Sequence, residues 1–168
     1  MKRLIAMVLA LVMALSLVAC GGGSDHNFLE EIWEERGDFS IADAKNDYSA
    51  IRDKEYDQHY TYKSSDVDFF GYSGTADFTF VKKTYYKGMV LNQYTEDDAP
   101  LDSVSWSVNA NSLDRSEYEK MIKTFVKKFD KAYGEHVEDG AYYKWYDAYR
   151  SIRFTMSTIG GIAIDIDW

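Results

Sequence analysis

The sequence predicts an α+β fold: a single antiparallel β-sheet with a long amphipathic helix, at about residues 114–133, packed on one face and one or two N-terminal helices beside it. Three observations predict this fold class. Apolar and polar residues alternate between about residues 60 and 109, and alternation returns in a terminal hairpin over residues 151–168. Between these segments, apolar residues recur at helical spacing.

Residues 1–19 are predicted to be a signal peptide and not part of the folded domain. A basic start, Lys2-Arg3, precedes an apolar run from Leu4 to Val18. A run of about fifteen residues is too short to cross a hydrocarbon core of about 30 Å, but it suits the h-region of a secretory signal.

The run ends in Leu17-Val18-Ala19-Cys20, which resembles the lipobox of bacterial lipoprotein precursors. This resemblance implies that the chain is cleaved before Cys20 and that a diacylglycerol is attached to the Cys20 sulfur. It therefore implies membrane lipid as a partner and a location on the extracytoplasmic face of the cell membrane. The alternatives are an ordinary signal peptide with a chance cysteine, or a buried structural cysteine.

Composition limits what the mature protein can be. Removing residues 1–19 from the 168-residue chain leaves 149 residues, one domain's length, and changes the formal charge from −9 to −11 because two basic residues are lost. Residues 20–27 are a Gly/Ser spacer, and residues 28–168 form a single domain. The acidic balance argues against nucleic acid as a partner. Cys20 is the only cysteine, which excludes a disulfide framework, a thiol catalyst and a zinc-thiolate site.

Two short helices are predicted before the sheet. Asn27-Phe28-Leu29-Glu30 has the form of a capping box, and Gly37 is a stop signal. Ser40 caps a second helix. Its buried stripe is predicted to comprise Ile41, Ala44, Tyr48, Ile51 and Tyr56.

The sheet is predicted from alternation of period two. Ala76, Phe78 and Phe80 alternate with polar residues, and so do Val104, Trp106 and Val108. Further strand-like segments are 66–70 and 89–95, with turns at 71–74, 87–88 and 96–100. The pattern predicts a meander with one apolar and one polar face.

The long helix has the strongest signal in the chain. Asp114-Arg115-Ser116-Glu117 begins it and Gly134 ends it. Its apolar residues fall on one arc, which predicts that it lies across the apolar side of the sheet. These residues are Tyr118, Met121, Ile122, Phe125, Val126, Phe129 and Tyr133.

The end of this helix also carries a resemblance. Lys127-Lys128-Phe129 followed by Tyr133-Gly134 gives a KKF-x-x-x-YG pattern, ahead of an aromatic strand and a terminal hairpin. Over roughly residues 69–168 the chain loosely resembles small, uncharacterised bacterial lipoprotein domains. The resemblance implies no catalytic residues.

The register of the terminal hairpin is predicted from its apolar residues. A two-residue turn at Gly160-Gly161 would pair Met156 with Asp165 and place apolar opposite polar residues on every rung. A three-residue loop over 159–161 instead pairs Met156 with Ile164. We therefore predict this loop, which also places Thr155 beside Asp165 and Arg153 beside Asp167.

Motifs that would identify an enzyme or a metal site are absent from the sequence. There is no HExxH, Walker, dinucleotide-binding or EF-hand pattern. The histidines are scattered and are predicted to be isolated surface residues: His26, His59 and His136. The acidic residues of the first helix are predicted to form a solvated face, with cation binding as the alternative. No cofactor and no metal are predicted, and no residue is assigned a catalytic role.

Basic residues on the long helix form the first candidate surface. Lys123, Lys127 and Lys131 follow at i+4 spacing with Lys120 beside them, opposite the apolar arc. We call these four residues the lysine ridge. They carry a net positive charge within an acidic domain. Contact with anionic lipid, a cell-wall polymer or an acidic partner is one interpretation, and a solvated face is the other.

The second candidate surface combines aromatic and polar side chains. The aromatic residues are Tyr142, Tyr143, Trp145, Tyr146 and Tyr149, and they are either exposed for recognition or part of the core. The polar sheet face is predicted to contain Ser103, Ser105, Ser107, Arg153, Thr155, Asp165 and Asp167.

These features predict a lipid-anchored, non-enzymatic protein that binds a protein or a cell-envelope polymer. One alternative is a carbohydrate- or peptidoglycan-binding module that uses stacked Tyr and Trp. The other is an envelope hydrolase, which requires two nearby carboxyl groups and a raised pKa on one of them.

Overall fold

The computed structural model describes residues 26–35, 38–109, 113–146, 151–157 and 161–167. Within these residues the chain is α+β, with an antiparallel sheet and three helices. The predicted signal peptide, Cys20 and most of the spacer lie outside the described residues, so the lipidation stays a prediction. No described helix is long and apolar enough to cross a membrane.

The chain order of elements is as follows. The helices are α1 (Phe28–Glu35), α2 (Ile41–Asp47) and α3 (Arg115–Tyr133). The strands are β1 (Ile51–Glu55), β2 (His59–Phe69), β3 (Tyr72–Val81), β4 (Lys83–Tyr86), β5 (Met89–Gln93), β6 (Leu101–Asn109), β7 (Val137–Asp139), β8 (Tyr142–Tyr146), β9 (Ser151–Ser157) and β10 (Gly161–Asp167).

Eight strands form one sheet in the order β1-β2-β3-β6-β10-β9-β8-β7. The prediction of a single sheet is wrong, because β4 and β5 form a separate two-stranded sheet. The chain leaves the large sheet after Val81, where the Lys82 and Lys83 N–H groups both donate to the Gln58 carbonyl, at 2.7 and 3.1 Å. These bonds turn the next strands away from β3.

The two N-terminal helices begin where their caps predict. The Asn27 side chain accepts from the Glu30 N–H at 3.4 Å, and Ser40 and Asp43 form a complete capping box. The predicted apolar stripe of α2 is wrong beyond Tyr48. The helix ends at Asp47, and Ile51, 72 % exposed, begins β1. Polar side chains in the last turn compete with helical hydrogen bonds, which accounts for the early end.

Helix α3 lies across the apolar face of the sheet, as predicted. Asp114 and Glu117 form its capping box. Three of its residues are fully buried, and their rings and side chains pack against aromatic residues from β2, β6, β8 and β9. These three residues are Met121, Phe125 and Phe129.

The terminal hairpin has a different register from the predicted one. Met156 pairs with Ile162, Phe154 with Ile164, and Arg153 with Asp165. The pairing is displaced by two residues from the predicted one. The predicted sharing of a face is confirmed for five apolar residues, all of them buried: Ile152, Phe154, Ile162, Ile164 and Ile166. Residues 158–160 and 168 lie outside the described residues. A shift of two preserves which face each side chain occupies, so alternation alone does not distinguish the two registers.

Candidate binding face

The outer face of the large sheet, opposite the helices, is built from three rows of polar residues. The middle row crosses six strands through directly paired positions: Lys63, Asp77, Ser105, Asp165, Arg153 and Lys144. The flanking rows contain mainly hydroxyl side chains: Thr61, Thr79, Ser103 and Ser151 on one side, and Thr75, Ser107 and Thr155 on the other. We call this surface the polar face.

The side chains at the centre of the polar face are short: Asp77, Ser105 and Asp165. Among its described side chains, none is classed as buried. In the backbone register, position 167 lies between Ser103 and Ser151, as one flank of the predicted polar face requires. A broad polar surface of this kind suits contact with a larger partner.

The β8 end of the polar face differs from its centre. Tyr142 and Tyr146 project there, 40 % and 58 % exposed, with Lys144 between them. Together with Arg153 on β9 they line a depression of about 400 Å³. Lys144 also forms an ion pair with Asp139. Exposed Tyr and Arg side chains are common anchors in protein interfaces, so this end is the best recognition site on the face.

The predicted aromatic cluster is divided between two faces of the sheet. Tyr143 and Trp145 alternate with Tyr142 and Tyr146 along β8 and therefore point inward. Trp145 is 1 % exposed and packs against Phe129, with ring centroids 5.0 Å apart. Trp145 is therefore unavailable to a ligand, and Tyr143 is half-buried. Tyr149 lies outside the described residues.

The inner end of β8 is held by a carboxylate that sequence reasoning did not single out. Asp130 Oδ1 accepts from Trp145 Nε1 at 2.9 Å and lies 2.9 Å from His136 Nδ1. His136 is therefore not the isolated surface residue that the sequence predicted. The two bonds join α3 to β8 and to His136, the residue before β7. They hold the inner side of β8, and Tyr142 and Tyr146 lie on the outer side of the same strand.

This arrangement changes the pKa values of both groups. The hydrogen bond that His136 donates to the Asp130 carboxylate raises the pKa of His136 above its usual 6.5. Partial burial opposes ionisation of Asp130, but hydrogen bonds from His136 and Trp145 outweigh it and lower the pKa of Asp130 below 3.8. The charged pair thus contributes stability fully between about pH 4 and 6.5.

Stability is therefore expected to fall as the pH rises above about 6.5 and His136 loses its proton. Because the pair is partly solvated, the expected loss is about 0.5–1 kcal/mol. Urea unfolding of the wild type and of His136→Gln at several pH values measures it, and the variant should lack this component. His59→Gln, which removes a longer contact with Asp102 at 3.6 Å, is the control and should retain most of the wild-type decline. An identical pH profile for wild type and His136→Gln would contradict the prediction.

The lysine ridge lies on the opposite side of the domain from the polar face. Lys120, Lys123, Lys127 and Lys131 are all exposed on α3. None of the four forms an ion pair with another described residue. The structure therefore separates the two predicted surfaces, and it does not bring the lysines near Arg153 or Asp165.

A further exposed surface, which sequence reasoning did not identify, is the β4–β5 hairpin. Its apolar side chains are largely exposed: Tyr86, Met89, Val90 and Leu91. The available signal was the run Met89-Val90-Leu91, which lacks the alternation of a half-buried strand. The hairpin packs weakly on the described domain, and no feature of it identifies a ligand.

Features typical of catalysis or metal binding are few in the part of the chain that the structure describes. No group of three His, Cys, Asp or Glu residues there is placed to hold a metal ion. Every described carboxyl group with a resolved shift has a lowered pKa; in Glu96, for example, the hydrogen bond from Tyr62 and the charge of Arg52 are responsible. The raised carboxyl pKa that the hydrolase alternative requires is therefore missing from these groups.

Comparison of the chain with protein-family models, with curated proteins and with solved structures finds no match.

Proposed function

We propose that this protein is a lipid-anchored extracytoplasmic binding module that recognises a protein or a cell-envelope polymer through its polar face. The observation that carries the proposal is the β8 end of that face. There two exposed tyrosines, Lys144 and Arg153 surround one depression on a rigid sheet. The lipobox Leu17-Val18-Ala19-Cys20 supports the anchor and the location.

The rigidity of the face supports recognition rather than a purely structural role. Strands β8, β9, β10 and β6 are paired along their lengths, and the inner side of β8 is fixed by Asp130. A face held in this way loses little conformational entropy when it binds a partner. Arg153 and Lys144 favour a partner with acidic groups at the contact.

A second candidate is a carbohydrate-binding module, favoured by the exposure of Tyr142 and Tyr146 alone. Their positions on β8 are four residues apart, about 13 Å along a strand. Two tyrosines at this spacing can each stack on a sugar ring of one extended glycan. The inward orientation of Trp145 and Tyr143 weakens this alternative, because it first rested on five rings and these are two of them.

Site-specific photo-crosslinking in the native envelope tests the proposal. A crosslinking residue at Tyr142 or Tyr146 is expected to give an adduct, whereas one at the inward Tyr143 is not. Arg153→Glu should reduce the Tyr146 adduct about tenfold, the effect of a single interface hot spot. Cys20→Ser should move the protein out of the membrane fraction or leave the precursor uncleaved.

The outcomes separate the alternatives. A protease-sensitive adduct supports a protein partner, and an adduct removed by a glycan hydrolase supports the carbohydrate alternative. No adduct at either outer tyrosine, with the protein in the membrane fraction, would contradict recognition by this face. Normal processing and membrane retention of Cys20→Ser would contradict the anchor.

A further inference from the structure

We infer that the lysine ridge is a membrane-facing surface that lies against anionic phospholipid headgroups and orients the domain so that the polar face points away from the bilayer. The inference rests on the proposed lipid anchor at Cys20. It assigns a lipid ligand to the four ridge residues: Lys120, Lys123, Lys127 and Lys131.

The four lysines of the ridge lie on one side of α3, opposite its buried side. At 100° per residue the four lysines occupy an arc of about 80°, centred opposite the buried Phe125. They extend over about 17 Å of helix. All four are exposed, and no other described residue neutralises any of them by an ion pair. The ridge is thus a row of uncompensated cations that points directly away from the sheet.

The predicted anchor, Cys20, is close in sequence to a residue that contacts the C-terminal end of α3. The described chain begins at His26, and the next residue, Asn27, donates from its side chain to the Tyr133 hydroxyl at 3.3 Å. Tyr133 is the last residue of α3, two residues after Lys131. Cys20 precedes His26 by six residues, which span at most about 20 Å. The lipid attachment therefore lies within reach of the C-terminal end of the ridge.

The acidic side chains on α3 and α1 determine which lysines can approach an anionic surface. On α3 the acidic side chains are engaged: Glu117 in the cap, Glu119 with Arg115 and Asp130 with His136. On α1, near the anchor, Glu34 and Glu35 are exposed and oppose an anionic surface. The contact is therefore expected to centre on Lys120, Lys123 and Lys127, away from α1.

The charge of the ridge and the position of the anchor orient the domain with the ridge against the bilayer. Each lysine beside an anionic leaflet favours the orientation with the ridge against the bilayer about fivefold. Lys120, Lys123 and Lys127 together therefore favour this orientation roughly 100-fold. The helix and sheet layers place the polar face about 20 Å from the ridge, beyond the Debye length of about 8 Å. The bilayer therefore does not compete for the polar face, which is presented outward.

The test uses the acylated protein purified from membranes and reconstituted in phosphatidylcholine vesicles with or without phosphatidylglycerol. A fluorophore is attached at Ser116→Cys, within the ridge arc, or at Ser105→Cys, on the polar face, and headgroup-linked quencher lipids report proximity. With phosphatidylglycerol, the fluorophore at position 116 is expected to be quenched, and the one at position 105, about 20 Å farther from the bilayer, is not. This excess of quenching at position 116 should disappear in high salt and in neutral vesicles.

Two variants of equal charge complete the test. Lys120→Glu/Lys123→Glu/Lys127→Glu should abolish the excess, and Lys45→Glu/Lys54→Glu/Lys87→Glu, outside both the ridge and the polar face, should retain it. Equal quenching at both positions, or loss of the excess in both variants, would overturn the inference while leaving the anchor intact. Failure of the wild type to float with either vesicle would instead overturn the anchor, and the inference with it.

Discussion

Replacing Phe125 by alanine is expected to lower the free energy of unfolding by about 3–5 kcal/mol. Phe125 is fully buried on α3, at the centre of the domain's aromatic core. Its ring contacts six others with centroid distances between 5.1 and 6.2 Å: Phe69, Phe70, Tyr72, Trp106, Phe129 and Phe154. Removing it opens a cavity that these large, mutually packed rings cannot close.

Thermal unfolding of the mature protein measures this effect. A loss of 3–5 kcal/mol corresponds to a fall in Tm of about 6–20 °C for a domain of this size. The matched control is Leu91→Ala on the β4–β5 hairpin, where the side chain is 66 % exposed and the expected change is within about 0.5 kcal/mol. Similar Tm values for the two variants would mean that α3 does not pack on the sheet as described.

The elements that the sequence predicted well are those with a local signal of sufficient length. The long helix is confirmed over Arg115–Tyr133, since its cap, apolar period and terminal glycine all agree. The strands around Phe78 and Trp106 are confirmed for the same reason, because alternation over several residues fixes both strand and face.

The errors arise where the deciding interaction is distant in sequence. The separate β4–β5 sheet depends on hydrogen bonds from Lys82 and Lys83 to Gln58, and no local pattern encodes them. The role of Asp130 depends on Trp145, fifteen positions away. The part of the polar face on β6, β9 and β10 was predicted from the sequence. Its extension to β2 and β3 depends on the strand order, and its combination with Tyr142 and Tyr146 depends on the β8–β9 register.

Gly74 shows how a local signal can mislead. The sequence predicted a turn over 71–74, because glycine and serine are typical of turns. The turn is at Phe70 and Gly71, and Gly74 instead lies inside β3, paired with Val67. The reason for glycine here is a close approach: the Trp106 indole lies where a Cβ would be, and a Cβ would also be 2.6 Å from the Ser107 carbonyl oxygen.

Gly74→Ala is accordingly expected to destabilise the domain by about 2–5 kcal/mol, through overpacking and disturbance of a buried hydrogen bond. Trp106 is fully buried, and its Nε1–H donates to the Val67 carbonyl at 3.1 Å. The added methyl group must displace either this indole or the Ser107 backbone, and both are fixed by the sheet. Urea unfolding measures the loss, and Ser73→Ala, one residue earlier and exposed, should change stability by less than about 0.5 kcal/mol.

A double-mutant cycle assigns the cause of this loss to the contact with Trp106. In a Trp106→Phe background the indole atoms nearest Gly74 are removed, so Gly74→Ala should cost at least about 1 kcal/mol less than in the wild type. An undiminished cost would place the strain at the Ser107 carbonyl alone. A negligible cost in the wild type would contradict the close packing of β3 on Trp106, and with it the position of α3, since Trp106 also packs against Phe125.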